Sequence, residues 1–137
     1  MIAVVLLAAG QGVRMNSARQ KILHEVGGRP MVLHVVETLA ALPLDRIVVV
    51  VGHEAEAVTT AIRAGLDTAV SVEFVEQRVQ RGTGDATSVA LGAFSDAVDD
   101  DDVIVCSADI PLLRPETLAA LATEHRLADA AATLLTA

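Results

Sequence analysis

The stretch IAVVLLAAGQGVRM, residues 2–15, decides the fold. Its first part, Ile2 to Ala8, is a short and continuous apolar run, and Gly10 and Gly12 follow closely. Such a run is typical of a strand that is buried on both faces. The two glycines free the backbone to wrap closely around an anion, and consecutive N–H groups there can form an anion-binding nest. The stretch therefore predicts a strand followed by a phosphate-binding loop.

Strand and helix patterns alternate along the rest of the chain. Further strands are predicted at 46–51, 70–75, 102–107 and 130–136, and helices at 30–42, 54–63, 84–94 and 115–127. Most strand runs are too apolar to have a solvent-facing side. The alternation predicts an α/β fold, a Rossmann-like and mostly parallel sheet with helices on both faces. Ligands of such sheets bind at the carboxyl ends of the strands.

The chain reads as one domain, 1–137, without an internal repeat or a low-complexity linker. The chain ends directly after a predicted strand, so we expect that it is an incomplete domain and that the natural domain continues past Ala137. No apolar run reaches the roughly 18 residues of a membrane span. Cys106 is the single cysteine, which excludes a disulfide framework. These features predict a cytoplasmic protein without a membrane partner.

The charge distribution points to a small anionic ligand. The net charge of −8 and the lack of Trp and Tyr argue against nucleic acid as a partner. Among the first 31 residues, however, four basic residues stand against one acid, Glu25. Arg14 offers a guanidinium fork and Lys21 a mobile ammonium, which together suit a polyphosphate. A dinucleotide fingerprint would need glycine in place of Met15, and no P-loop string occurs.

These residues carry a resemblance to a known family. The run L-A-A-G-x-G-x-R-M at 7–15, followed by Lys21, resembles the signature of sugar-1-phosphate nucleotidyltransferases. Residues 21–35 look most like the bacterial N-acetylglucosamine-1-phosphate uridylyltransferases. The resemblance runs from Ile2 to the end of the chain and covers only the first part of that family's uridylyltransferase domain.

Two later segments agree with this resemblance. Gln77 and the segment GTGDA at 82–86 are similar to the family's uracil-recognition segment. The segment SADIPLL at 107–113 is similar to its metal-binding segment. Each also has a structural interpretation on its own, since glycines before a helix can be a plain turn and an aspartate after a strand is often a cap. The order of all three motifs in one chain favours the functional interpretation.

The resemblance implies a Mg²⁺-dependent transfer of UMP from UTP to N-acetylglucosamine-1-phosphate. The products are pyrophosphate and UDP-N-acetylglucosamine, a precursor of peptidoglycan. It assigns Arg14 to the leaving pyrophosphate, Lys21 to the reacting phosphoryl group and Asp109 to the metal. The residues that it implies for nucleotide binding are Leu7, Ala8, Ala9, Gly10, Gly12, Gln77, Gly82 and Thr83.

Two departures from the family pattern keep alternatives open. Gln20 replaces a proline, which should loosen the loop. Ala108 replaces a glycine, which is a handicap if that position needs a positive φ or a close approach of the backbone to the substrate. The alternatives are a cytidylyltransferase, a molybdopterin guanylyltransferase, or a non-catalytic nucleotide-binding module. A homo-oligomer is compatible with the sequence. We expect the chain alone to bind Mg–UTP weakly and to transfer little.

Overall fold

The computed structural model describes residues 2–10, 16–94 and 102–136. A short 3₁₀ turn covers Lys21–Leu23. The strands are β1 (Ile2–Leu7), β2 (Glu25–Val26), β3 (Arg29–Pro30), β4 (Arg46–Val51), β5 (Ser71–Glu76) and β6 (Asp102–Ser107). The helices are α1 (Met31–Ala40), α2 (Ala55–Gly65), α3 (Thr83–Leu91) and α4 (Pro115–Leu127).

Four of the strands form one parallel sheet in the order β5-β4-β1-β6. In register, Leu7 at the end of β1 lies opposite Val50 of β4 on one side and Ser107 of β6 on the other. The chain moves outward from β1 through β4 to β5 and then returns across β1 to β6. The direction of strand order thus reverses between β1 and β6, and ligands of open α/β sheets bind beside such a reversal.

The two faces of β4 show how the layers pack. Ile47, Val49 and Val51 lie in a core cluster with residues of α1, α2 and α4. Val48 and Val50 point the other way, into a second cluster with residues of α3. All five side chains are nearly or fully buried. The predicted Rossmann-like sheet with helices on both faces is therefore confirmed.

The helices bury the apolar faces that their sequences predict. In α1 the fully buried residues recur at helical spacing, namely Val32, Val35, Val36 and Leu39. In α2 the buried pair is Val58 and Ile62, and in α3 it is Ala86 and Ala90. β4, β6 and α4 agree with their predicted bounds to the residue, and the other helices and strands between residues 30 and 94 differ by one to three residues at an end. No described helix is both long and apolar enough to cross a bilayer.

The prediction of a strand at 130–136 was wrong. After α4, Asp129 adopts a positive φ of 46°, and the following residues run past β6 without forming a strand. An open cavity of about 460 Å³, lined by β6, α4 and residues 131–134, lies between this segment and β6. The segment therefore does not form a backbone ladder with β6, and residues of strand-like composition need such a partner to become a strand.

A small hairpin was not predicted. β2 and β3 pair in antiparallel fashion, with Glu25 opposite Pro30 and Val26 opposite Arg29. Gly27 and Gly28, with φ of 61° and 79°, make the two-residue turn between them. Glycine adopts a positive φ at little cost, and Gly-Gly is one of the residue pairs that tight hairpin turns favour.

Candidate functional site

Three loops come together at the carboxyl edge of the sheet. They follow β1 (residues 8–10, hereafter called the nucleotide loop after its predicted role), β5 (77–82) and β6 (108–109). The Gln80 side chain of the second loop donates to Ala9 O of the first at 2.6 Å. In the third, the Ala108 N–H donates to Leu7 O at 3.1 Å. The loops that carry the predicted site residues are thus direct neighbours.

Lys21 and Asp109 form an ion pair at this edge. Lys21 Nζ donates to Asp109 Oδ2 at 2.6 Å, although the two residues are 88 positions apart in the chain. Lys21 begins the 3₁₀ turn, and buried Ile22 anchors that turn in the core. Asp109 follows β6 by two residues. The two side chains remain 38% and 34% exposed, so both can be reached by a ligand from solvent.

The environment of Asp109 favours its charged form. The hydrogen bond from Lys21 is the main influence that lowers the pKa of Asp109 below its ordinary value. The Ser107 hydroxyl adds to this effect by donating to Asp109 Oδ1 at 2.5 Å. Partial burial opposes both influences without reversing them. Asp109 is therefore a carboxylate at neutral pH, as a ligand of a hard cation must be.

The nucleotide loop packs closely against its neighbours. The Ala8 N–H donates to Val50 O at 2.9 Å, and the Ala8 and Ala9 side chains are buried, while Gly10 is exposed. A Cβ added to Gly52 would lie 3.0 Å from Ala9 Cβ and 3.2 Å from Ala9 O. Glycine at the end of β4 therefore lets the loop approach the sheet edge.

Gln77 is held in one orientation by its neighbours. It is only 3% exposed, and its backbone N–H extends the β5 ladder by donating to Val51 O at 2.7 Å. Its Nε2 donates to Gly82 O at 3.3 Å and to Asp85 Oδ2 at 2.7 Å. Because both neighbours are acceptors, they fix which end of the amide is the nitrogen. The remaining group, Oε1, is an acceptor.

The turn before α3 requires its glycine. Gly82 has φ of 97°, a conformation that side chains with a Cβ rarely adopt, and α3 begins at Thr83 directly after it. Gln77 secures this turn through its bond to Gly82 O. The segment is thus a structural turn and a neighbour of Gln77 at once. The structural interpretation made from the sequence is therefore confirmed, and the functional one stays a prediction.

Two of the predicted site residues, Gly12 and Arg14, lie outside the described residues, so their roles stay predictions. The described residues contain no group of three or more His, Cys, Asp or Glu side chains that could hold a metal ion. Among the described residues, Asp109 is the side chain that would bind a cation at this edge. A single carboxylate completed by phosphate oxygens and waters suits Mg²⁺.

The two departures from the family pattern cause no visible strain. Ala108 has no positive φ, and its methyl group is fully buried in the core. The handicap that would follow from a positive φ at this position therefore does not arise. Gln20 lacks the ring restraint of a proline, but its buried side chain donates to Ala8 O at 3.3 Å and to Gly10 O at 3.1 Å. The predicted loosening of the loop is opposed by these two bonds.

Three further site residues had no role in the sequence analysis. Gln80 contacts the nucleotide loop, Asp85 orients Gln77, and Ser107 supports Asp109. Asp85 and Ser107 lie within the quoted motifs, at positions to which no function was given. Gln80 lies between Gln77 and Gly82 in the sequence. A second amide side chain so close to the candidate base-binding amide of Gln77 could have indicated its role.

Comparison with known proteins agrees with this geometry. The profile of the family described as MobA-like NTP transferase domain matches residues 4–137. The bifunctional protein GlmU of Picosynechococcus sp. is 45% identical over 137 residues, which are 100% of this chain and 29% of that protein. GlmU of Streptomyces coelicolor is 46% identical over 135 residues, 98% of this chain and 27% of that protein. The chain thus spans less than a third of the length of these relatives.

A solved structure shows the same fold. A nucleotidyl transferase from Methanothermobacter thermautotroptrophicus superposes with a TM-score of 0.74 at 26% identity, over 90% of this chain and 57% of that chain. The family profile covers nearly the whole sequence, including all the described loops at the carboxyl edge. The chain therefore belongs to the family of MobA-like NTP transferase domains.

Proposed function

We propose that this chain is the nucleotide-binding part of a sugar-1-phosphate nucleotidyltransferase that transfers UMP from UTP to N-acetylglucosamine-1-phosphate. The observation that carries the proposal is the pairing of Lys21 with Asp109 beside the nucleotide loop. It brings together a cation for a phosphate and a carboxylate for a metal, at the point where strand order reverses. Relatives named GlmU, at 45% and 46% identity, support the same reaction class.

The proposed reaction is an in-line displacement at phosphorus. An oxygen of the sugar phosphate forms a bond to the α-phosphorus of UTP, while the bond to the bridging oxygen breaks and pyrophosphate leaves with the electron pair. Lys21 neutralises negative charge on the reacting phosphoryl group, and Arg14 holds the pyrophosphate. Mg²⁺, when bound by Asp109 and phosphate oxygens, supplies further neutralisation of charge. Catalysis of this kind depends on positioning and electrostatics more than on covalent chemistry.

The proposed preference for uracil follows from the amide of Gln77. Both hydrogens of Nε2 are used by Gly82 O and Asp85, so Oε1 is the group left to meet a base. Uracil presents an N3–H donor to such an acceptor, whereas cytosine presents an acceptor at N3 and a donor only at its N4 amino group, so a base held with N3 opposite Oε1 is uracil rather than cytosine. Guanine also carries an N–H donor on its pairing edge, so GTP is the informative competitor for the guanylyltransferase alternative.

Calorimetry with the four nucleoside triphosphates in the presence of Mg²⁺ tests the base preference. We expect UTP to bind more tightly than CTP, ATP and GTP. Equal affinity for all four, or a preference for a purine, would move the chain to another activity within the family. Binding of none of the four would contradict the proposed function as a whole.

A pyrophosphate-release assay with UTP and N-acetylglucosamine-1-phosphate tests the reaction itself. We predict slow turnover by this chain alone, because Asp109 is the one described ligand for the metal and misplacement of a reacting group by about 1 Å can reduce a rate about 100-fold. A longer polypeptide that includes the regions found in the relatives should turn over faster. Full-speed turnover by the 137 residues would contradict this part of the proposal. The cytoplasmic location and a homo-oligomeric state stay predictions.

A further inference from the structure

Three successive carbonyl groups of the nucleotide loop accept hydrogen bonds from side chains. Gln20 Nε2 donates to Ala8 O at 3.3 Å and to Gly10 O at 3.1 Å. Gln80 Nε2 donates to Ala9 O at 2.6 Å. One glutamine lies in the segment before the 3₁₀ turn and the other in the loop after β5. Each carbonyl from residue 8 to residue 10 therefore has an amide donor.

These bonds determine which way the peptide groups of the loop point. In a trans peptide the carbonyl and the following N–H point in opposite directions. When the carbonyls of Ala8 and Ala9 are turned toward the glutamines, the N–H groups of Ala9 and Gly10 are turned away from them. An anion is attracted by N–H groups and repelled by carbonyl oxygens. The two glutamines thus fix the orientation of the two peptide groups whose N–H groups a phosphate at this loop would meet.

Gln20 is buried in the protein interior. It is 2% exposed, and its side chain reaches a segment 10 to 12 residues earlier in the chain. Its backbone has φ of −57° and ψ of 139°, values that proline also adopts. Its buried Oε1 accepts no hydrogen bond from the part of the chain that the structure describes. The side chain is therefore held there by its two donated bonds.

We propose that Gln20 and Gln80 are positioning residues that preorganise the nucleotide loop, and that the amide of Gln20 replaces the restraint that a proline would supply. The proposal rests on the proposed function of the loop as a phosphate-binding site. Gln20 also precedes Lys21 directly, so the same segment that orders the loop carries the cation of the Lys21–Asp109 pair. Loss of either amide should loosen the loop and weaken nucleotide binding, while the fold stays intact.

The experiment compares four variants with the unmodified chain. Gln20→Met and Gln80→Met keep side-chain length and remove the donors, whereas Gln20→Pro restores a backbone restraint at the φ that Gln20 already has. Thr123→Val is the matched control, since it removes a side-chain bond to a backbone carbonyl, from Thr123 Oγ1 to Ala119 O at 2.9 Å, on α4. Two quantities are measured, the ¹⁵N order parameters of Ala9 and Gly10 without nucleotide and the Kd for Mg–UTP.

We expect the order parameters to fall from about 0.85 toward about 0.6 in Gln20→Met, and less in Gln20→Pro. The Kd for Mg–UTP should rise about tenfold in Gln20→Met and several-fold in Gln80→Met, in line with the loss of two and one neutral hydrogen bonds. Thr123→Val should change neither quantity. A thermal melt checks that each variant folds, and Gln80→Met serves if Gln20→Met does not, because Gln80 is exposed.

Unchanged order parameters in both methionine variants would overturn the proposal. A Gln20→Pro chain that is no more ordered than Gln20→Met would overturn the claim that the amide replaces a proline-type restraint. The order parameters need no nucleotide, so they distinguish this proposal from the proposed function. If the unmodified chain fails to bind Mg–UTP but its loop loosens on loss of Gln20, the function fails and the positioning role stands.

Discussion

Replacing Lys21 with methionine should weaken the binding of UTP and leave the stability of the fold nearly unchanged. The Lys21–Asp109 pair is short, at 2.6 Å, but both side chains are more than one third exposed. Exposed ion pairs contribute only about 0–1 kcal/mol to the free energy of unfolding, so Lys21→Met should melt close to the unmodified chain. A charge-assisted bond from Lys21 to a phosphate contributes about 1.5–3 kcal/mol, which corresponds to a rise of roughly 10- to 150-fold in the Kd for UTP.

The Arg126–Asp102 pair provides a matched control. Arg126 Nε lies 2.6 Å from Asp102 Oδ2, the same distance as in the Lys21–Asp109 pair, and the Arg126 side chain is 53% exposed. Arg126→Met should therefore change the melting temperature about as little as Lys21→Met does and leave the Kd unchanged. Calorimetry and thermal melts of both variants give the comparison. Equal UTP affinity in the Lys21→Met and unmodified chains, or an equal loss in Arg126→Met, would refute the assignment of Lys21 to a phosphate.

Three further predictions concern Asp109, Cys106 and Gly52. Because the pKa of Asp109 is lowered in the folded chain, its stabilisation is present above the unfolded value of about 3.9 and is lost as pH falls through the folded value. The small stability difference of Lys21→Met should vanish in acid melts, and a constant difference would contradict this. Burial raises the pKa of the Cys106 thiol to about 11, so alkylation at pH 8 should be slow until urea unfolds the chain, and equal rates with and without urea would argue against it. Gly52→Ala places a Cβ 3.0 Å from Ala9 Cβ, and we expect a loss of about 1 kcal/mol in melts together with weaker UTP binding; an unchanged Kd would contradict the close contact.

The elements that the sequence predicted well are those whose pattern is local. β4 is a continuous β-branched run that ends at Gly52, and α4 begins at Pro115, a residue that favours the first turn of a helix. The hairpin at residues 25–30 was also within reach, because Gly27 and Gly28 between two short segments are a known turn signal. The segment 130–136 has the composition of a strand, but whether it becomes one depends on a backbone partner, which is a property of the tertiary structure.

The site likewise combines residues that local motifs predict with contacts that depend on the tertiary structure. Gly10, Gly82, Lys21, Gln77 and Asp109 were predicted from their motifs, and the structure brings the segments that carry them to one edge of the sheet. The ion pair between Lys21 and Asp109 joins residues 88 positions apart, and the amide of Gln80 reaches Ala9 across 71 positions. Contacts over such separations depend on strand order, and a single sequence does not reveal the strand order. The direction of the Gln77 amide depends likewise on Asp85, a motif position to which the sequence analysis gave no role.

The measurement that tests the central claim most directly is a map of backbone amide shifts when Mg–UTP is titrated into the ¹⁵N-labelled chain. The account predicts that the largest changes fall on the three loops at the carboxyl edge, at residues 8–10, 77–82 and 108–109. A different region offers a clear contrast, the cavity of about 460 Å³ lined by Val103, His125 and Thr133 among others. Changes concentrated around that cavity, with the three loops unaffected, would contradict the claim that this chain binds its nucleotide where strand order reverses.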